Sequence, residues 1–145
     1  MLRAALLCTL ILVLQQPAAA QSFSYLAVGD SYTIGEKVDE QSRWPVMLAD
    51  TLTKLGHPVY DPKIVAVTGW TTTELQAGIK DTNLQQNYDL VSLLIGVNNQ
   101  YHGQDIEIFR KEFTELLQQA IEFAGGHPNH VLVLSNPDYG VPPVR

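Results

Sequence analysis

A serine hydroxyl follows directly on an apolar segment near the start of the chain. The stretch "SYLAVGDSYTIGE", residues 24–36, is mostly apolar through Val28 and then reads Gly29-Asp30-Ser31. Glycine, aspartate and serine are common turn residues, and a plain turn is one interpretation of this stretch. The other is that Ser31 is a nucleophile, presented where a buried strand of a parallel sheet ends. The residues at the other strand ends bear on this choice.

Two further polar groups follow apolar segments in the same way. Gly69 comes after the β-branched run at 64–67, and Asn98 comes after the apolar run at 90–95. Ligands of open parallel sheets bind beyond the carboxyl ends of the strands, and a strand order of 2-1-3-4 would make the three loops neighbours. A hydroxyl, a glycine N–H and a carboxamide could then attack a carbonyl carbon and stabilise the resulting oxyanion. This set predicts acyl-transfer chemistry.

The elements that must position these groups alternate along the chain. The sequence predicts four strands, at 24–28, 64–67, 90–95 and 131–134, and three helices, at 44–55, 72–79 and 106–124. Thr71 or Thr72 is the expected N-cap of the second helix, with Glu74 in its capping turn, and Asp105 that of the third. The strands are apolar on both faces, which indicates a parallel sheet covered by helices on each side. We therefore expect an α/β fold, a three-layer α/β/α open parallel sheet, and the flavodoxin-like order is the one that would make the three loops neighbours.

Taken in order, these blocks resemble those of a known enzyme family. The Gly-Asp-Ser block at 29–31, Gly69 and the Gly-x-Asn block at 96–98 are similar to the first three blocks of the SGNH (GDSL-type) hydrolases. The likeness covers nearly all of the chain after residue 20. It implies an ester hydrolase in which Ser31 is the nucleophile and also the first oxyanion donor, through its backbone N–H. The Gly69 N–H and the Asn98 side-chain amide would be the other donors, each worth about 3 kcal/mol of transition-state stabilisation.

Two features depart from the pattern of this family. Position 99 is Asn, where the third block usually ends in Asp, and this removes a charge beside the site. The resemblance also implies a general-base His in a C-terminal Asp-x-x-His block, and no Asp in these 145 residues has a His three positions later. Serine is a weak nucleophile without its base, so the chain as printed should be a poor catalyst. We expect the base, with a further strand and helix, in a C-terminal part that is missing here.

Four further residues are candidates for lining the substrate site. Asp30 and Asn99 adjoin the implied nucleophile and oxyanion donor. Trp70 follows the glycine donor and either lines the pocket or packs in the core. His102 lies in the loop after the third strand, whereas the other three histidines are expected at the opposite edge of the sheet. No metal-ligand spacing occurs in the mature part, and no cofactor or metal is expected.

The first twenty residues have the pattern of a cleavable secretory signal. Arg3 is followed by an apolar core at 4–14 and by alanines at 18–20. The apolar core has about 11 residues, against roughly 20 for a membrane-spanning helix, so we expect no stable membrane anchor. Residues 1–20 are therefore predicted to be a signal peptide and residues 21–145 a single SGNH-hydrolase-like domain. The protein is expected to be secreted or periplasmic.

Charge and composition limit the class of partner. The formal net charge is −6 and the basic residues are scattered, so no nucleic-acid partner is expected. The expected partner is an ester, either a small molecule or an acyl group on a lipid or polysaccharide. Two alternatives remain: a non-catalytic carbohydrate- or lipid-binding module on the same fold, or an inactive fragment whose fourth strand is an unprotected edge. The sequence does not indicate an oligomeric state.

Overall fold

A parallel four-stranded sheet forms the centre of the structure, a computed structural model that describes residues 21–136. The predicted signal peptide at 1–20 lies outside the described residues. The strands are β1 (Tyr25–Gly29), β2 (Lys63–Ala66), β3 (Leu90–Leu94) and β4 (Val131–Val133). Their order in the sheet is β2-β1-β3-β4, and all neighbours are parallel. The predicted strand order is confirmed.

Helices connect the strands in the described part of the chain. They are α1 (Ser31–Ile34), α2 (Trp44–Lys54), α3 (Thr72–Asp81), α4 (Val97–Tyr101) and α5 (Ile106–Phe123), with 3-10 turns at Glu40–Ser42 and Pro128–His130. The three predicted helices correspond to α2, α3 and α5, whereas α1 and α4 lie in segments that were expected to be loops. Among the described residues, no helix has both the length and the apolar character needed to cross a membrane.

The sheet is covered by helices on both faces. Leu26 and Val28 of β1 pack in a large apolar cluster with residues of α3 and α5. The alternate residues of the same strand, Tyr25 and Ala27, pack in a second cluster with Ala49 of α2. Successive side chains of a strand point to opposite faces, so β1 is buried on both sides. The predicted three-layer arrangement is confirmed.

Two predicted helix caps form as expected. Thr71 is the N-cap of α3, and its backbone N–H donates to the Glu74 carboxylate at 2.8 Å in a capping box. The hydrogen bonds from Thr71 hold the pKa of the Glu74 carboxyl below its ordinary value. At the start of α5, the Asp105 carboxylate accepts from the backbone N–H of Glu107 at 2.7 Å. These caps fix where α3 and α5 begin.

The indole of Trp70 packs on α3 at a helical glycine. Trp70 is partly buried against the larger core cluster. A Cβ atom added at Gly78 would lie 2.7 Å from Cζ3 and 2.9 Å from Cζ2 of this ring, inside van der Waals contact. The missing side chain of Gly78 therefore lets the ring pack close against the helix.

This packing predicts that a glycine-to-alanine substitution lowers the stability of the protein, the opposite of its usual effect inside a helix. Alanine is favoured over glycine inside a helix by about 1 kcal/mol. We nevertheless expect Gly78→Ala to destabilise the protein by about 1–3 kcal/mol, because the new methyl group overpacks against Trp70. Urea unfolding measures the change. In a Trp70→Leu background the same substitution should become stabilising, and a destabilising effect of equal size there would contradict the packing argument.

Candidate active site

The carboxyl ends of three strands are aligned at one edge of the sheet. Gly29, the last residue of β1, pairs with Ala66 of β2 on one side and with Leu94 of β3 on the other. The chain therefore leaves all three strands at the same level. The loops that follow are the three predicted to carry the site.

Gly29 permits a close turn at the end of β1. A Cβ atom added there would lie 2.8 Å from Cβ of the buried Thr33 and would also overlap the Leu94 carbonyl oxygen. α1 thus folds back over the end of its own strand, directly beside β3. A side chain at position 29 would push this helix away from the sheet edge.

Ser31 is the first residue of α1 and is partly exposed. Asp30 caps the helix, and the helix ends at Gly35, which has a left-handed φ of 68° and donates its N–H to the Ser31 carbonyl at 3.1 Å. Within residues 21–136, neither the hydroxyl nor the backbone N–H of Ser31 makes a hydrogen bond. The first N–H groups of a helix have no partner inside it, so this donor is free to bind an oxyanion.

The other two predicted donors lie on the neighbouring loops. Gly69 is exposed, has a φ of 85°, and does not donate its N–H to any group in the described part of the chain. Asn98, in α4, donates its Nδ2 to the Trp70 carbonyl oxygen at 2.8 Å. A carboxamide nitrogen carries two hydrogens, so a second remains for an oxyanion. This bond joins the loop after β2 to the helix after β3.

Asp30 carries a carboxyl group that is buried beside the candidate nucleophile. Its Oδ1 accepts from the Tyr32 backbone N–H at 3.0 Å, whereas its Oδ2 has no partner in the region that the structure describes. Burial raises the pKa of this carboxyl above its ordinary value, and the hydrogen bond from Tyr32 opposes the rise. Asp30 is fully buried and caps α1, and its predicted contact with a substrate stays a prediction.

Asn99 is also buried and forms part of a polar network. Its Oδ1 accepts from the Thr72 N–H at 3.2 Å, and its Nδ2 donates to the Thr72 hydroxyl at 2.6 Å and to Gln104. The Thr72 hydroxyl in turn donates to the carboxylate of Glu112 on α5. The predicted contact of Asn99 with a substrate stays a prediction. Sequence reasoning missed these hydrogen bonds: Thr72 lies 27 positions from Asn99 and 40 from Glu112, and Gln104, five positions from Asn99, belongs to no motif.

Trp70 and His102 differ in how far the structure supports a place beside the substrate. The Trp70 ring packs on α3, so the core alternative is the one that the structure supports, and its carbonyl is the group that reaches Asn98. His102 caps the C-terminus of α4 and is exposed, with its ring edge-on to Tyr101 at a centroid distance of 5.6 Å. It lies on the side of the candidate site, and its contact with a substrate stays a prediction. In residues 21–136 no group of three or more His, Cys, Asp or Glu could hold a metal ion.

Comparison with family models identifies one match. The model of the GDSL-like Lipase/Acylhydrolase family matches residues 27–145, which includes all three loops of the site. A comparison with curated proteins found no match to this chain.

Several solved structures have a similar fold. The crystal structure of TesA superposes with a TM-score of 0.63 at 20% identity, covering 76% of this chain and 58% of that chain. AlinE4, a SGNH-hydrolase family esterase, superposes with a TM-score of 0.62 at 24% identity, covering 70% of this chain and 55% of that chain. An acetyl xylan esterase, AlAXEase, superposes with a TM-score of 0.57 at 23% identity, covering 76% of this chain and 56% of that chain. At these identities the similarity shows the fold, and this chain spans less than two thirds of each of these proteins.

The buried carboxyl of Asp30 predicts a pH dependence of stability. Because its pKa is raised in the folded state, folding favours the protonated form, and stability is lost as pH rises from about 4 through the folded-state pKa. Asp30→Asn keeps the cap acceptor and does not titrate, so its stability relative to the unsubstituted protein should increase over that range. Urea unfolding at several pH values measures the difference. The exposed Asp50→Asn is the charge-matched control, and a difference for Asp30→Asn that falls with pH would contradict the prediction.

Proposed function

Because the chain belongs to the GDSL-like lipase/acylhydrolase family, we propose that it forms the nucleophile and oxyanion-hole part of an ester hydrolase. In this proposal the Ser31 hydroxyl attacks the ester carbonyl. The backbone N–H groups of Ser31 and Gly69 and the side-chain amide of Asn98 bind the resulting oxyanion. The proposed step uses no metal ion and no cofactor.

The alignment of the strand ends is the observation that carries the proposal. Gly29 is level with the last residues of β2 and β3, so the three loops leave the sheet side by side. The two backbone N–H groups assigned as donors make no hydrogen bond in the described residues, and Asn98 retains a second amide hydrogen. Preorganised donors of this kind stabilise the tetrahedral intermediate without reorganising during the reaction.

The reaction would proceed through an acyl-enzyme. Ser31 Oγ forms a bond to the carbonyl carbon while its proton passes to a general base, and the negative charge collects on the carbonyl oxygen. Collapse of this intermediate breaks the ester bond, and the alcohol leaves with that proton. Water then attacks the acyl-enzyme, releases the carboxylic acid and restores the serine hydroxyl. The oxyanion donors act in both halves of the reaction.

The general base is proposed to be a histidine beyond residue 145. The family resemblance implies an Asp-x-x-His block, these 145 residues contain none, and the chain spans 58% of TesA and 55% of AlinE4. The coding sequence downstream should therefore contain such a block about 40–60 residues on, a spacing that the resemblance implies. An open reading frame continuing for 100 residues without one would contradict this assignment.

The proposed substrate is an acyl ester of a lipid or an acetyl group on a polysaccharide. One structure of similar fold is named an acetyl xylan esterase and another an esterase, and both names agree with this class. We also propose that the protein acts outside the cytoplasm, on the basis of the signal-like pattern at 1–20. Release of acetate from acetylated xylan, compared with release of fatty acid from a lipid ester, distinguishes the two substrates.

The nucleophile is tested by covalent labelling. A fluorophosphonate should modify Ser31 in a chain extended through the Asp-x-x-His block, and Ser31→Ala should abolish the label. The 145-residue chain should react far more slowly, since loss of a triad histidine costs about 10⁶ in turnover in a well-studied enzyme. Peptide mass spectrometry locates the modified residue. Labelling that persists in Ser31→Ala would show that the wrong nucleophile has been named.

The oxyanion hole is tested at Asn98 in the same extended chain. Asn98→Ala should lower kcat for a p-nitrophenyl ester by about 10²–10³, with a much smaller change in KM. Gln100→Ala, an exposed amide on the same helix, is the matched control and should change kcat by less than about threefold. Because Asn98 also holds the Trp70 carbonyl, thermal unfolding of both variants is measured in parallel. An unchanged kcat in folded Asn98→Ala would remove Asn98 from the site.

A further inference from the structure

Two adjacent asparagines tie the loop after β2 to α4. Asn98 donates to the Trp70 carbonyl at 2.8 Å, and Asn99 exchanges two hydrogen bonds with Thr72. The segment between these contacts begins directly after Gly69. The position of the Gly69 N–H relative to the Asn98 amide is therefore set by two neighbouring tethers.

The orientation of the Asn99 carboxamide is fixed by its neighbours. The backbone N–H of Thr72 can only donate, so the atom facing it at 3.2 Å must be Oδ1. The Nδ2 group then faces the Thr72 hydroxyl at 2.6 Å and the Gln104 side-chain oxygen, and donates one hydrogen to each. Asn99 is 2% exposed, so water does not substitute for these partners.

The Thr72 hydroxyl has one proton, and Glu112 accepts it. An ionised carboxylate only accepts hydrogen bonds, so the hydroxyl must be the donor in its bond to Glu112 Oε2. The other carboxylate oxygen, Oε1, accepts from the Thr73 hydroxyl at 3.0 Å. Having given its proton to Glu112, Thr72 can only accept from residue 99. The donation runs in one direction, from Asn99 to Thr72 to Glu112.

We propose that Asn99 is a positioning residue. Because the Thr72 hydroxyl gives its single proton to the Glu112 carboxylate, residue 99 must be a donor, and the amide of Asn99 meets this requirement. This chain of hydrogen bonds from Asn99 through Thr72 to Glu112, called the relay below, holds the turn that follows Gly69 against α4. It rests on the proposed function in one respect: the proposed oxyanion donors lie on this turn and on α4. A carboxylate at position 99 is incompatible with a carboxylate at position 112. Each would need the same hydroxyl proton, so one of the two hydrogen bonds at the Thr72 hydroxyl would be lost.

The relay is tested by a double-mutant cycle on the 145-residue chain. Asn99→Asp should lower the thermal midpoint by about 5 °C and shift the backbone amide resonances of Gly69 and Trp70 in a ¹⁵N correlation spectrum. Glu112→Gln alone should cost less, because its carboxamide can still accept from Thr72. In the double variant Gln at 112 donates to the Thr72 oxygen, and the hydroxyl proton turns to Asp at 99. The double variant should recover at least half of the decrease in thermal midpoint that Asn99→Asp causes, and both resonances should return toward their original positions.

Two exposed substitutions with the same charge changes are the controls. Asn83→Asp adds a carboxylate beyond the end of α3, and Glu115→Gln removes one from the next turn of α5. Their effects should add in the corresponding double variant. Additive losses for the 99/112 pair, or resonances of Gly69 and Trp70 that stay in place in Asn99→Asp, would overturn the proposal. If Asn99→Asp does not fold, folding of the double variant supports the proposal and its failure to fold overturns it.

The cycle does not depend on catalysis. Unfolding and the amide resonances report the relay even if no fluorophosphonate label reaches Ser31, an outcome that counts against the proposed function alone. When the extended chain is used, the relay predicts that Asn99→Asp lowers kcat for an ester more than it raises KM. The double variant should restore kcat in parallel with the resonance positions.

Discussion

The close contact at Gly29 is the constraint on which the rest of the site depends. At this residue the central strand is level with the ends of both neighbours, and no side chain fits between Thr33 and the Leu94 carbonyl. The backbone can therefore turn at Asp30 and start a helix immediately above the sheet. This places the serine hydroxyl and its N–H at the edge where the next two loops also emerge. The sheet aligns the loops, and Gly29 allows the first of them to be short.

Hydrogen bonds of two neighbouring asparagines hold the candidate site together in the described residues. Asn98 and Asn99 connect α4 to the turn before α3 through the Trp70 carbonyl and the Thr72 hydroxyl and N–H. Asp30 contributes a buried carboxyl next to the nucleophile, and burial raises the pKa of this carboxyl above its ordinary value. Such an arrangement keeps the donors fixed where an oxyanion would form, which is what acyl transfer requires.

The sequence was sufficient for the parts of the fold that depend on periodicity and caps. Strands that are apolar on both faces predicted the parallel sheet, and the start of α3 at one of two threonines and of α5 at Asp105 was also predicted correctly. It was insufficient for α1 and α4, since helices of four and five residues are too short to show a helical repeat. The contacts of Thr72 with Asn99 and Glu112 were also missed. They join residues 27 and 40 positions apart, and only the tertiary structure brings such pairs together.

The most direct test of this account is the crystal structure of the chain, extended through its general base, with a phosphonate bound covalently to Ser31. The phosphonyl oxygen imitates the oxyanion. The account predicts that this oxygen lies about 3 Å from the backbone nitrogens of Ser31 and Gly69 and from Nδ2 of Asn98. An adduct whose oxygen points to solvent, or that reaches Ser31 while Gly69 and Asn98 lie beyond hydrogen-bonding distance, would contradict it.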